Sequence, residues 1–269
     1  MKLETKDLLT GDEISTKEFL ELIDFSIKLK EENKTVKGKQ LLENKTLAML
    51  FEKPSTRTRV SFETGMKQLG GHTIILSLNE MQHSRGESVE DTAKTLSGYV
   101  DGIVARVYEH SFIEDLAKHA TVPVINGLSN SYHPCQTLAD FMTIKEHKKK
   151  FKDLKIAWIG DGNNVCNSLI FGCSKTQTDV VIATPKGFEP NPEVVKKASE
   201  NTTIDLTTDP ESAVKDADIV MTDTFTSIHT SDPKRTEKFL PAFQVNESLM
   251  EKAKNDTIFM HCLPAKRDQ

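Results

Sequence analysis

The sequence predicts an α/β protein built from two doubly wound, parallel-sheet domains that are joined by long helices. Short apolar runs alternate with amphipathic segments along almost the whole chain. Strands that read as continuous apolar runs between helices are typical of parallel sheets covered on both faces. The length of 269 residues exceeds the usual size of one domain, so two domains are expected.

Eight apolar runs are predicted to be strands. In chain order they are 46–50, 73–77, 102–107, 122–126, 155–160, 179–184, 218–222 and 257–260. The segments between them have helical periodicity; in 88–100 the apolar residues fall near one face. A long helix is predicted to begin near His133 and to end in the charge-rich stretch KEHKKKFKDLK. We place the domain boundary there, which gives domains of residues 1–147 and 148–269.

Composition excludes several classes of protein. A formal net charge of −5 argues against a general nucleic-acid binder, which needs a dominant basic surface. No apolar run approaches the roughly 18 residues of a membrane span, so no membrane contact is predicted. The four cysteines show no C-x-x-C spacing and the N-terminal residues lack the features of a leader peptide, so a reducing, cytoplasmic location is expected.

Polar residues follow the predicted strands where this fold class places ligands, beyond the carboxyl ends of the strands. The first group is Ser55-Thr56-Arg57-Thr58-Arg59, at the start of a predicted helix. With Ser55 as N-cap, the free N–H groups of the first turn and the hydroxyls of Thr56 and Thr58 can bind a phosphate, and Arg57 can add a bidentate pair. The alternative is an ordinary cap with both arginines on a solvated face. The G-x-x-x-x-G-K-[ST] pattern of a nucleotide-binding P-loop is absent.

Two further segments contain groups that can take part in chemistry. His133-Pro134-Cys135-Gln136 stands at a predicted strand-to-helix turn, where the histidine and the glutamine can hydrogen-bond a carbonyl or amide, or the histidine can simply cap the helix. Cys262 follows the last predicted strand. A buried or ligand-contacting thiol is favoured over a nucleophile, because the only histidine beside it in sequence is His261.

The segment KIAWIGDGNN resembles the opening of a dinucleotide-binding unit, but two features oppose that function. It lacks the third small residue of G-x-G-x-x-G, and no acidic residue follows the strand at 179–184 to hold a ribose. No dinucleotide cofactor is predicted.

Three motifs together resemble the aspartate/ornithine carbamoyltransferase family, and within it the ornithine-specific branch: STRTR at 55–59, HPCQ at 133–136 and HCLPA at 261–265. Their order and spacing match the family from about residue 5 to Ala265. The resemblance implies a first domain that binds carbamoyl phosphate and a Rossmann-like second domain that binds ornithine. It also implies an assembly built from trimers, with the active site near the subunit interface. No metal and no organic cofactor is implied.

The resemblance assigns a role to individual positions. It implies that the carbamoyl phosphate contacts are Ser55, Thr56, Arg57, Thr58, Gln82, Arg106, His133, Gln136, Cys262 and Leu263, with Gln82 reaching the site of a neighbouring subunit. It implies that the ornithine contacts are Asn164, Asp223, Ser227 and the backbone of Ile228. The residues implied in catalysis are Arg57, Arg106, His133, Gln136, Asp223 and Cys262.

The implied reaction is transfer of the carbamoyl group from carbamoyl phosphate to the side-chain amine of L-ornithine, which gives L-citrulline and phosphate. Gln82 and Asp223 argue against aspartate as the acceptor. A putrescine-specific enzyme and a non-catalytic amino-acid-binding relative remain alternatives.

The sequence departs from the family pattern at two places. The ornithine loop usually reads D-x-W-x-S-M-G, and here residues 223–229 read DTFTSIH. Family members also continue beyond HCLPA through a helix that returns to the first domain. Either the chain is a fragment or the role of that helix is vacant, and as the sequence stands we expect a weakened or inactive enzyme with an exposed apolar groove.

Overall fold

The computed structural model describes residues 3–35, 40–226 and 234–267, with the side chains of 33–35 excepted. It divides into two compact units, residues 1–135 and 136–269, which we call unit 1 and unit 2. Each unit contains one parallel sheet with helices, so the predicted fold class is confirmed. The domain boundary at 147/148 stays a prediction.

The described residues form nine strands. They are β1 (Thr46–Phe51), β2 (His72–Ser77), β3 (Gly102–Arg106), β4 (Val124–Leu128), β5 (Lys155–Ile159), β6 (Asp179–Ala183), β7 (Ile204–Thr207), β8 (Ile219–Thr222) and β9 (Ile258–His261). All eight predicted strands are present. β4 lies later than predicted, because it begins after Pro123, which has no N–H for the sheet. β7 was not predicted; it is an edge strand with Asp205 and Leu206 exposed, so it is not a continuous apolar run.

Nine α-helices lie between or beside these strands in the described residues. They are α1 (Thr16–Thr35), α2 (Thr56–Gln68), α3 (Val89–Ser97), α4 (His110–His119), α5 (Pro134–Lys148), α6 (Asn164–Thr176), α7 (Pro192–Ala198), α8 (Pro210–Val214) and α9 (Glu247–Met250). The long helix predicted near His133 is α5, with Pro134 at its first position, where a missing N–H costs nothing. Within the described ranges, no helix has both the length and the apolar character of a bilayer-spanning segment.

In unit 1 the strand order is β2-β1-β3-β4, and every pair is parallel. The order reverses beside β1, which is the switch point at which open α/β sheets bind ligands. Phe51 at the end of β1 pairs in register with Ser77 of β2 and with Arg106 of β3. The segments that follow these three strands therefore leave the sheet at the same edge.

In unit 2 the strand order is β7-β6-β5-β8-β9, again all parallel. Ile159 of β5 pairs with Thr222 of β8, and Thr222 pairs with His261 of β9. The next residues of these three strands, which include Asp223 and Cys262, are thereby brought together at the carboxyl edge.

Two glycines explain the GDGNN turn after β5. Gly160 has a φ of +127°, which favours glycine. A Cβ on Gly162 would lie 2.2 Å from the nitrogen of Pro190, and the Gly162 N–H donates to the carbonyl of Phe188 at 2.8 Å. The second glycine therefore allows close packing on the segment after β6, a role that needs no dinucleotide.

Unit 1 also has an open apolar groove of about 720 Å³. Its wall includes Phe62 and Met66 of α2, Leu69 directly after that helix, Leu47 of β1 and Ile125 of β4.

Candidate active site

The N-terminus of α2 has the features of an anion site. Ser55 is in the N-cap position with an extended backbone, but its side chain makes no capping hydrogen bond, and the first turn contains no acidic residue. The predicted position of Ser55 is thus confirmed, whereas its hydroxyl is left available. Thr56 and Arg57 are exposed in the same turn, and among the described residues Arg57 has no ion pair. Free N–H groups and an unneutralised guanidinium at a helix N-terminus favour a bound anion.

Arg59 differs from Arg57 although the two residues share this helix end. Its Nε lies 3.5 Å from a carboxylate oxygen of Glu63, one turn further along α2. Both side chains are exposed, and such a pair stabilises a helix only weakly. Arg59 is therefore already neutralised, and Arg57 is the arginine available to a ligand.

Arg106 at the end of β3 adds a second cation to this cluster. Its Nη1 donates to Thr58 Oγ1 at 3.0 Å, which links the end of β3 to the first turn of α2. Its Nε is buried and has no hydrogen-bond partner among the described residues. A buried guanidinium N–H without a partner is costly, so Arg106 Nε is a candidate donor to a ligand oxygen.

His133 lies at the end of unit 1, immediately before α5. Burial lowers its pKa to about 3, and the positive charge of Arg106 acts in the same direction. The imidazole is therefore neutral near pH 7, with one N–H that donates and one nitrogen that accepts. Its neighbour Cys135 is inert, because burial raises the pKa of that thiol to about 12.

Gln82 is exposed in a short 3₁₀ helix, Gln82–Arg85, that follows β2. It lies after the carboxyl end of a strand in the same sheet as Arg106. The described residues show no contact between its side chain and Arg57, Arg106 or His133. The expectation that it serves a neighbouring subunit stays a prediction.

The second cluster, in unit 2, is centred on Asp223, directly after β8. Its two carboxylate oxygens are both used: Asn163 Nδ2 donates to Oδ2 at 2.8 Å, and Cys262 Sγ donates to Oδ1 at 3.0 Å. Asn163 is also the N-cap of α6, since its Oδ1 accepts from the N–H groups of Val165 and Cys166. The cap therefore fixes the amide that holds Asp223.

Cys262 is a protonated thiol in this setting. Burial raises its pKa far above the ordinary range, and the negative charge of Asp223 raises it further. A thiol in this state is a donor and a packing group, and it is a poor nucleophile. The interpretation of Cys262 as a contact residue is consistent with this geometry.

The same place brings together groups that can ligate a cation. Three possible ligand atoms lie within 4.8 Å of one another, one each from Asp223, His261 and Cys262. Carboxylate, imidazole and thiolate are ligands that Zn²⁺ accepts. The Cys262 thiol here donates to Asp223 as a proton-bearing group. The prediction that the protein needs no metal stays a prediction.

Gln136 and Asp140 form a pair on α5 in unit 2. Gln136 Nε2 donates to Asp140 Oδ1 at 2.9 Å, and Asp140 is only 7% exposed. Burial raises the pKa of Asp140 to about 7; the bond from Gln136 opposes the shift and the charge of Asp223 adds to it. A buried carboxyl group with a pKa near neutral pH, beside a second carboxylate, is typical of a functional site.

Arg235 holds the segment that precedes residue 227 in place. Arg235 forms an ion pair with Asp161, and its Nε donates to the carbonyl of Phe225 at 3.0 Å. The guanidinium also lies over the rings of Phe188 and Phe239, with its carbon 4.6 and 5.7 Å from the two centroids. One arginine thus ties the turn after β5 to the segment after β8.

The remaining predicted site residues are placed as follows. Asn164 is buried in the first turn of α6, next to the residue that bonds Asp223. Leu263 is 62% exposed after β9. Ser227 and Ile228 lie outside the described residues.

Asn163, Asp140 and Arg235 were missed as site residues by the sequence analysis. Asn163 could have been found, because asparagine before a helix is a capping signal. Asp140 follows Gln136 by four residues on one helix, but its burial is not visible in the sequence. Arg235 follows no predicted strand, so no sequence pattern connected it with Asp161.

Together the two clusters are typical of a class of α/β protein with a site suited to an anion in unit 1 and an acidic site in unit 2. Family models match both parts of the chain: the carbamoyl-P binding domain of aspartate/ornithine carbamoyltransferase over residues 6–146, and its Asp/Orn binding domain over 152–269. The chain belongs to the aspartate/ornithine carbamoyltransferase family.

Individual relatives agree with this assignment. An ornithine carbamoyltransferase from Cenarchaeum symbiosum is 58% identical over 269 residues, which cover 100% of this chain and 89% of the relative. One from Methanocaldococcus jannaschii is 50% identical, over 97% of this chain and 87% of the relative. The solved ornithine carbamoyltransferase from Pyrococcus furiosus superposes with a TM-score of 0.95 at 48% identity, over 100% of this chain and 88% of that one.

Proposed function

We propose that the protein transfers the carbamoyl group of carbamoyl phosphate to the side-chain amine of L-ornithine, giving L-citrulline and phosphate. The observation that carries the proposal is that one chain contains a cluster of unused donors at the end of one sheet and a cluster of carboxylates at the end of the other. The first suits a phosphate dianion, and the second suits the ammonium group of an amino acid. The names of the similar proteins support the same reaction.

Carbamoyl phosphate is assigned to unit 1. The phosphate would be bound by the first-turn N–H groups of α2, by the hydroxyls of Ser55, Thr56 and Thr58, and by Arg57. Arg106 would supply its unpartnered Nε to an oxygen of the same ligand. Each of these groups can donate a hydrogen bond and none is acidic, which suits a ligand whose phosphate oxygens accept.

Ornithine is assigned to unit 2. The carboxylate of Asp223, held by Asn163 and Cys262, would bind an ammonium group of the amino acid. A carboxylate that is already oriented by two donors loses little freedom when it binds a cation. We keep Asn164, Ser227 and the backbone of Ile228 as further proposed contacts.

The proposed chemistry needs no covalent intermediate with the protein. The neutral side-chain amine attacks the carbamoyl carbon, a C–N bond forms, and the C–O bond to phosphate breaks. Negative charge develops on the carbamoyl oxygen and then on the phosphate. Arg106 and the N–H of the neutral His133 can stabilise the first, and Arg57 the second. The departing phosphate takes the proton that the amine loses.

The test is a parallel assay of carbamoyl transfer to three acceptors, namely ornithine, putrescine and aspartate, with chromatographic identification of the products. We expect citrulline from ornithine and at least about tenfold lower kcat/KM for putrescine, which lacks the α-carboxylate. A preference for putrescine would replace the substrate assignment. Binding of carbamoyl phosphate with no transfer to any acceptor would instead favour a non-catalytic relative.

We also propose a homotrimer in the cytoplasm in which Gln82 completes the site of a neighbouring subunit. The exposure of Gln82 after β2 supports this role. Sedimentation equilibrium would give the assembly size. Mixing the inactive variants Gln82→Ala and Arg57→Ala should restore partial activity if subunits share sites, and no recovery after exchange would contradict it.

A further inference from the structure

The hydrogen bond between Gln136 and Asp140 takes no part in the contacts proposed for either substrate. The two residues stand four apart on α5, so they lie on the same face of the helix. Asp140 is almost fully buried, and the titratable groups that bear on it come from other elements: Asp223 after β8 and Cys262 after β9. Burying a carboxylate beside another carboxylate destabilises a fold, so a role in function is expected for it.

The chemistry of the amide suggests that role. A carbamoyl group ends in an NH₂ with two donors, and these need acceptors when the group is bound in a dry site. The amide of Gln136 can present either its oxygen or its own NH₂, depending on which way it is turned. Above pH 7 the Asp140 carboxyl group is ionised, and an ionised carboxylate only accepts hydrogen bonds. Asp140 therefore selects the orientation in which Nε2 faces it and Oε1 faces away, and no described residue donates to Oε1.

We propose that Asp140 is a positioning residue that holds the Gln136 amide with Oε1 as an acceptor for the carbamoyl NH₂. This inference rests on the proposed function. Asparagine at position 140 would keep the volume of the side chain but would offer both a donor and an acceptor to Gln136. It would therefore no longer select one orientation of the amide.

A double-mutant cycle tests the inference, with Asp140→Asn, Gln136→Ala and the double variant measured in the intact protein. In the wild-type background, Asp140→Asn should raise the KM for carbamoyl phosphate about tenfold, the value of one hydrogen bond of about 1.4 kcal/mol. The KM for ornithine should stay within about threefold. In the Gln136→Ala background, Asp140→Asn should have almost no further effect, because the group that it orients is gone.

Thr143→Ala is the matched control on the same helix. Among the described residues its hydroxyl bonds the carbonyl of Ala139 and no site residue, so kinetic constants should not change. Thermal unfolding of every variant separates loss of fold from loss of orientation. Asp140→Asn should keep or raise the Tm while it weakens the binding of carbamoyl phosphate. A residue with a purely structural role would not give this combination.

The inference would be overturned if Asp140→Asn raised the KM for carbamoyl phosphate equally in both backgrounds. It would also be overturned if the KM rose only together with a lowered Tm. A wild type that forms no citrulline, but gains thermal stability from carbamoyl phosphate, would contradict only the proposed function. The same cycle would then be measured on that stabilisation. A wild type with neither property would overturn both.

Discussion

The two ends of the molecule's sheets differ in the hydrogen-bonding groups that they leave for a ligand. At the carboxyl edge in unit 1 the groups are donors: the first turn of α2 has no acidic residue, and Arg106 Nε is buried without a partner in the described structure. At the carboxyl edge in unit 2 the groups are carboxylates, and Asp161, Asp223 and Asp140 each accept a bond from a neighbouring side chain.

This difference shows that two similar parallel sheets can be specialised by charge alone. The edge in unit 1 presents donors that have no acceptor among the described residues, which suits an anionic ligand. The edge in unit 2 is tied into a network before any ligand is present, so its acids are fixed in place. Substitutions at the edge in unit 1 should therefore change ligand binding with little effect on stability, whereas substitutions in unit 2 should also change stability.

The largest effect is expected from Arg57→Ala in unit 1. Removing the unpaired arginine should lower kcat/KM about 10³-fold, as for loss of one preorganised donor to a transition state, with little change in Tm. The measurement is steady-state kinetics with carbamoyl phosphate varied. Arg59→Ala is the matched control, since that arginine pairs with Glu63, and its kcat/KM should stay within about threefold. Equal losses in both variants would contradict the assignment of Arg57.

Asp223→Asn should break the acidic edge in unit 2. We expect kcat/KM for ornithine to fall about 10²-fold, because a charge-assisted bond to an ammonium group is lost. Binding of carbamoyl phosphate should be unchanged, as measured by calorimetry. A variant that loses carbamoyl phosphate affinity as well would show that the two edges are not independent.

Asp140→Asn should change how stability depends on pH. The folded pKa of about 7 lies above the ordinary 3.8, so ionisation of Asp140 destabilises the wild type as pH rises from about 4 to about 7. Asparagine does not ionise, so the variant does not lose stability in this pH range. The variant should equal the wild type near pH 4 and exceed it above pH 8 by at most about 4 kcal/mol, at 1.36 kcal/mol per pKa unit. Urea unfolding at several pH values measures this, and a difference independent of pH would contradict it.

Gly162→Ala should test the tight turn of unit 2. The new Cβ would meet backbone atoms of Glu189 and Pro190, which no side-chain rotation relieves. The free energy of unfolding should fall by about 1–3 kcal/mol, the usual cost of overpacking. Activity should fall as well, because the turn carries Asp161.

Gly65→Ala in unit 1 should have the smallest effect and the opposite sign. Nothing lies within 4 Å of a Cβ at this position, which is inside α2. Alanine should raise the free energy of unfolding by about 0.5–1 kcal/mol, because glycine is entropically unfavourable in a helix. Urea unfolding of this variant beside Gly162→Ala would contradict the comparison if both lost stability equally.

Much of the fold could be predicted because strand positions depend on local pattern. Eight strands follow from continuous apolar runs, and α5 follows from Pro134 at its first position. The exception, β7, lies at a sheet edge with two exposed residues, where burial no longer imposes an apolar run. A strand that is held mainly by backbone hydrogen bonds leaves little trace in the sequence.

The candidate site could be predicted only in part. Motifs pointed to Arg57, Arg106, His133, Gln136, Asp223 and Cys262, and rules for parallel sheets indicated the strand ends that carry most of them. The partners of these residues were not visible. That Arg59 is neutralised and Arg57 is not, or that Asp140 accepts from Gln136, depends on side-chain direction and burial.

The sequence by itself determined the fold class, the family and the residue types at each strand end, because these depend on periodicity and on motifs of adjacent residues. Only the tertiary structure decided which side chains form hydrogen bonds or ion pairs with one another and which remain available to a ligand. The register of β5, β8 and β9 brings Asp223 beside Cys262, and burial raises the pKa of Asp140 to about 7. Charge state and hydrogen bonding depend on distance in space and on exclusion of water, and neither is a property of neighbours along the chain.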